Sequence, residues 1–248
     1  MSRKRVGMLD LTRGLAMILV VLYHLLFDLR SVAGIDLPDW LTPGKQPVET
    51  VHLVMLWMLF AVSGACSGYS RNLLKRGVLL YLAGFAITVV TTLFLPSFRI
   101  VFGVLSCFGA CMVFTALAAP VLDRIPWWLL TALGILLWCV FRTFYLDHTI
   151  RLWFTSYTVT LPDVQYLYPL GLIGSGFSSA DYFPLIPYIF MFWAGRGLHR
   201  PIANGKMPVW FYRSNGPVLE WIGRHSLIIY AVHQPLILGV VLLVQKLV

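Results

Sequence analysis

The chain has 248 residues, 59% of them hydrophobic and 12% charged, with a mean hydropathy of +0.80. Soluble domains carry roughly 25% charged residues, so this composition excludes a secreted disulfide scaffold, a disordered tail and a nucleic-acid-binding domain. The net charge of +9, from 19 Lys and Arg against 10 Asp and Glu, reads as membrane topology and not as partner choice.

A membrane crossing needs roughly 20 mostly apolar residues. The apolar runs predict an all-α, polytopic transmembrane bundle of about seven spans, at 9–28, 51–69, 78–95, 100–122, 127–146, 183–199 and 221–245, forming one domain over residues 1–248. The basic start, Arg3-Lys4-Arg5, precedes an apolar run too long for a signal-peptide core, and no small-residue cleavage site follows, so no cleavable signal is expected. With the amino terminus in the cytoplasm most Lys and Arg fall on the inner side. This predicts an N-in, C-out protein of the inner membrane.

The first span carries four polar residues that lipid would not tolerate. At 100° per residue, with Asp10 taken as zero, Arg13 falls at about −60°, His24 at about −40° and Asp28 at about 0°. They share a narrow wedge and so face a protein interior or a wet cavity together. His24 lies about 21 Å along the axis from Asp10, in the outer half of the membrane. Asp28 follows at i+4 on the same face, within reach of the imidazole. A carboxylate there would raise the basicity of His24 and fix its tautomer, as a general base requires; the pair would equally tie helices together. Asp10 and Arg13 near the cytoplasmic surface read either as a structural ion pair or as part of an anion site.

Glu49 and His52 open the second span on the outer side and are weaker candidates. Arg71, Lys75 and Arg76, with Arg196, His199 and Arg200, form two inner basic loops. Positive-inside bias accounts for them, yet the same charges suit the phosphates of a cytosolic ligand. Cys66, Cys107, Cys111 and Cys139 all lie in apolar runs without metal-ligand spacing, and read as small core residues.

Two connections, 29–50 and 147–182, are long and both fall outside. The second is crowded with Trp153, Phe154, Tyr157, Tyr166, Tyr168, Tyr182 and Phe183 and broken by Pro162, Pro169 and a Gly171–Gly176 stretch, which predicts a re-entrant or interfacial segment. Asp181 at its end is either an N-cap of the sixth span or a cavity carboxylate that positions substrate. The last span holds Glu220, Arg224, His225, Tyr230, His233, Gln234 and Pro235. Pro235 removes a helical hydrogen bond and predicts a kink beside His233, so helical phase leaves open which of His233 and Gln234 faces His24.

Three stretches carry a family likeness: Leu9-Asp10-Leu11-Thr12-Arg13-Gly14-Leu15-Ala16 with His24 following; Asp181-Tyr182-Phe183-Pro184-Leu185; and Gly223-Arg224-His225-Ser226-Leu227 leading to His233-Gln234-Pro235-Leu236. Phe102-Gly103-Val104-Leu105 is a fourth, shorter match. Together they resemble the bacterial branch of the heparan-α-glucosaminide N-acetyltransferase catalytic-domain family, within a superfamily of transmembrane acyltransferases that includes acyltransferase family 3. The resemblance implies an enzyme that takes an acyl group, typically acetyl from acetyl-CoA, at the cytoplasmic face and modifies an acceptor, often a sugar, across the membrane. His24 matches the functional His late in the first span of family 3 members, and Arg13 matches the basic residue of the same motif. Lysosomal sugar-N-acetylating members carry their catalytic His in the loop after span one. Residues 29–50 here contain no His, so the acyl-His assignment stays between His24 and His52.

The expected function is therefore an integral membrane O- or N-acyltransferase with acetyl-CoA as co-substrate, a sugar or glycan as acceptor, membrane lipids around it and no metal. Asp10, Arg13, Arg71, Arg76, Arg196 and Arg224 are expected to hold the CoA phosphates. His24, oriented by Asp28, would deprotonate the acceptor or carry the acyl group, and His233, Gln234 and Asp181 would complete the site from the outer side. Two rivals come from other classes. One is a haem-binding electron carrier with His24 and His233 as axial ligands; the other is a lipid or glycan transporter using the same polar cavity.

Overall fold

Six of the predicted spans are helices long and apolar enough to cross a membrane in the computed structural model of the chain, which describes residues 5–152, 154–159, 166–214 and 216–247. Arg3, Lys4, Trp153 and Pro162 lie outside the described residues. In chain order the helices are α1 (Gly7–Ser31), α2 (Val48–Ser67), α3 (Leu73–Phe94), α4 (Val104–Leu122), α5 (Trp127–Phe141), the single turn α6 (Phe144–Asp147), α7 (Leu185–Ala203), the single turn α8 (Val209–Tyr212), α9 (Pro217–Arg224) and α10 (Ser226–Leu247). Leu93, Phe94, Leu117, Ile228 and Leu236 are each more than half exposed, a distribution stable only where the outer solvent is hydrocarbon.

The remaining predicted span, 183–199, is the 19-residue helix α7, which carries Arg196, His199 and Arg200 toward its end. Leu185, Tyr188, Ile189, Met191, Phe192 and Ala194 are all buried. A helix sheathed by protein tolerates polar side chains that a lipid-facing helix does not, which is why its composition is less apolar than that of the other six.

The contacts divide the chain into two compact units, Met1–Val62 with Gly205–Val248, and Ser63–Asn204. In the first, α9 and α10 pack on α1. The α1–α9 seam is a backbone contact: a Cβ on Gly14 would stand 1.9 Å from the Leu219 carbonyl oxygen, and one on Gly223 would stand 1.9 Å from that of Asp10. Small residues permit this approach, as in helix pairs within membranes. In the second unit α3 packs on α4, α5 on α7 and α4 on α7. Asn72 starts α3 by accepting the Lys75 N–H at 2.9 Å, and Pro126 and Pro184 precede α5 and α7.

Two expectations change. The 221–245 stretch is two helices, because α9 ends at Arg224 and His225 (φ −101°, ψ 12°) breaks the path before α10 begins. This break lies ten residues before Pro235, which sits inside α10. The aromatic stretch after α6 contains a two-stranded antiparallel hairpin, β1 (Thr149–Leu152) with β2 (Thr155–Thr158), where Thr149 pairs with Thr158. Its β-branched residues favour that pairing. Finally, Cys107 and Cys111 are buried and Cys66 half-buried, but Cys139 is exposed, so it is not a core residue.

Candidate active site

The helical spacing of α1 lines up Asp10, Arg13, His24 and Asp28, and the first unit supplies partners along that stripe. Asp28 is 2% exposed, and Gln234 of α10 donates from Nε2 to both of its carboxylate oxygens at 3.1 Å each. The expected contact of Asp28 with His24 is replaced by this one. A carboxamide turned toward α1 offers the carboxylate a planar donor shared by both oxygens, and the phase of α10 brings it there. His24 instead meets His233 edge to face, with ring centroids 4.9 Å apart. Both α10 residues therefore face the α1 stripe, Gln234 at Asp28 and His233 one turn earlier at His24. Rings in direct contact leave no room for a macrocycle between them, so the bis-His haem arrangement does not fit.

His233 is 6% exposed, and its Nδ1 lies 2.6 Å from the Tyr230 carbonyl oxygen. A carbonyl only accepts, so Nδ1 carries the proton and Nε2 keeps its lone pair. That Nε2 is buried without a hydrogen-bond partner, and so is Oε1 of Gln234. A buried acceptor without a donor costs about 1–3 kcal/mol.

On the other flank of His24, Tyr23 meets its ring at 6.1 Å and stacks on His52 of α2 at 4.2 Å with a 10° interplanar angle. Glu49 lies 3.8 Å from His52 Nδ1. Thus His24, His52 and His233 belong to one ring assembly. Tyr23 was not singled out from sequence; its position next to His24 is the signal that was available.

At the other end of the stripe Arg13 and Asp10 form the ion pair, 3.3 Å apart and partly buried. Arg224 donates from Nε to the Glu220 carbonyl at 3.1 Å, and the Glu220 side chain accepts from Ser214 Oγ at 2.9 Å at the start of α9.

The second unit holds the other candidates. Asp181 does not cap α7; its Oδ2 accepts the Val104 N–H of α4 at 3.3 Å, and Phe183 N–H donates to the Phe102 carbonyl at 3.1 Å. Burial pushes the Asp181 carboxyl up to about 6, against the pull of the Val104 bond. Gly103 suits this approach, since a Cβ there would lie 2.8 Å from Asp181 Oδ2 and the carboxylate would have to shift. Arg196 forks onto both oxygens of Asp123 at 2.9 and 3.2 Å and reaches Ser67 Oγ at 3.3 Å. Asp123, 73 residues away, has no local signature that pairs it with Arg196. A cleft of about 310 Å³ is lined by Arg196, His199, Arg200, Asp123 and Trp127. Arg71 and Arg76 are exposed near the start of α3. Among the described residues no three His, Cys, Asp or Glu are arranged to hold a metal ion.

The motifs therefore close on one another in pairs. The α1 motif meets the Gly223 and His233-Gln234 motifs in one unit; the Phe102-Gly103-Val104 motif meets the Asp181 motif in the other. A family model described as heparan-alpha-glucosaminide N-acetyltransferase, catalytic, matches residues 5–235. The chain belongs to this family. Membership carries transferase activity, with acetyl-CoA the donor in the family generally, and the apolar helices make the protein a multi-pass membrane protein. Searches of curated proteins and of solved structures return no match.

Proposed function

We propose that this protein is an inner-membrane acetyltransferase, moving an acetyl group from cytosolic acetyl-CoA to a hydroxyl or amine of a sugar or glycan on the opposite side. The observation that carries this reading is the buried set of His24, Asp28, His233 and Gln234, assembled by two family motifs on adjacent helices. Intramembrane ionisable groups gathered in this way mark a reaction path or substrate path by default.

His24 is assigned to the reacting site, with His52 behind Tyr23 on one side and His233 on the other. The acceptor or the thioester reaches this assembly through the polar stripe of α1. In the second unit, the cleft lined by Arg196, Arg200 and Trp127 receives the CoA phosphates, and Arg71 and Arg76 extend the basic surface. Asp10, Arg13 and Arg224 add positive and paired charge at the inner end of the first unit. Asp181 is assigned to capping α4 and not to chemistry, since its carboxylate already holds a backbone N–H.

The test is purified protein in nanodiscs given labelled acetyl-CoA and a panel of sugar acceptors. Transfer of label is expected, and His24→Ala, which removes the ring in contact with His233, is expected to lower it by about 10²-fold, the loss that misplacing a reacting group by about 1 Å brings, while the fold survives. Full transfer by that variant discards the mechanism. Substrate movement with no acetyl-CoA consumed would mean a transporter.

A further inference from the structure

Two neighbouring side chains on α10 are each anchored through a donor and each left with a buried acceptor. Tyr230 holds His233 by Nδ1–H and leaves Nε2 without a partner. Asp28 holds Gln234 by Nε2–H and leaves Oε1 without one. Both anchors can only accept, so the tautomer of the ring and the turn of the amide are set by the protein itself. His24 lies in ring contact with His233, and no hydrogen bond among the described residues fixes its own tautomer. Of the two rings in contact, His233 is thus the one whose lone pair is preset.

Resting on the acetyltransferase reading above, we propose that His233 Nε2 is the atom that takes the acceptor's proton, and that Gln234 Oε1 accepts from a second hydroxyl or amine beside the reacting one. Asp28 is a positioning residue that acts through Gln234. In the step, the acceptor O–H or N–H gives its proton to His233 Nε2 as its heteroatom attacks the thioester carbonyl carbon. The carbon–sulfur bond then breaks, and the CoA thiolate takes that proton back from the imidazolium. The products are acetylated acceptor and free CoA, with His233 regenerated. The acceptor class follows: a compound that brings a second hydroxyl or amine beside the reacting one, such as a diol or an amino alcohol, and not a simple alcohol.

Full-length protein in nanodiscs tests this with His233→Asn, whose amide can replace Nδ1–H at Tyr230 but has no counterpart of Nε2. Acetyl-CoA binding within about twofold of wild type is expected, with kcat down by at least about 10²-fold and partial rescue of His233→Ala by added imidazole. Asp28→Asn frees the Gln234 amide to turn; it is expected to raise KM for such a two-donor acceptor with little change in kcat, and to leave KM for a single-donor alcohol unchanged. That effect should disappear in a Gln234→Ala background, where Asp28 has nothing to position. Wild-type kcat in His233→Asn, or equal KM losses for both acceptor types in Asp28→Asn, overturns the inference while the transferase reading stands. A lower melting temperature with unchanged kcat would assign the two acceptors to a structural water, and also overturns it. Wild-type protein that transfers no label overturns both.

Discussion

Single residues in this chain are best read by asking what already occupies their hydrogen-bonding groups. Asp181 is engaged with the α4 amino end, and its carboxyl, pushed up to about 6 by burial, carries a proton in the folded protein at pH values where the unfolded chain has lost it. Between about pH 4 and pH 6 the folded state binds more protons, so this group makes stability fall as pH rises through that window and level off above it. The melting temperature in nanodiscs should follow that course, and Asp181→Asn, which keeps an acceptor for Val104, should flatten it and melt a few degrees higher at pH 7. Loss of acetyl transfer in that variant without loss of folding would return Asp181 to the reacting set. The α1 stripe was legible because charges in an apolar helix stand out and their phase follows from counting. Partners were not: nothing local ties Asp28 to Gln234, 206 positions away, or Arg196 to Asp123.

Elements follow the same division. The long apolar helices were readable to within a few residues, since twenty hydrophobic positions in a row admit few other structures. What composition hid was the change of character at His225, where amphipathic α9 gives way to apolar α10, and the short Thr-rich hairpin inside an aromatic loop. The glycines explain why α9 belongs with α1 and not with the span that follows it. Gly223→Ala sets a methyl against the Asp10 carbonyl oxygen, so α9 must lift from α1. Overpacking of this kind costs about 1–3 kcal/mol. A drop of several degrees in melting temperature is expected, with protease cleavage appearing between α8 and α9; unchanged thermal stability would mean that the seam yields without resistance.

For the molecule as a whole, α7 decides the topology. Among the described residues six helices qualify as crossings by length and composition, and an even count would leave both termini on one face. If α7 also crosses, as a protein-sheathed helix, the count becomes odd and the ends separate, as the Lys and Arg distribution favours. Reporter fusions should therefore find the amino terminus in the cytoplasm and the carboxyl terminus across the membrane, and two cytoplasmic ends would remove α7 from the list of spans. The grip of Arg196 on Asp123 bears on turnover. A phosphate docking on that guanidinium has to displace a resident rival, and the rival reclaims the place once the visitor departs. Such competition weakens the acetylated nucleotide and its spent form alike, without touching the barrier between them. If the CoA phosphates dock there as proposed, the spent carrier is kept from lingering, and the cycle favours rapid clearance over tight capture.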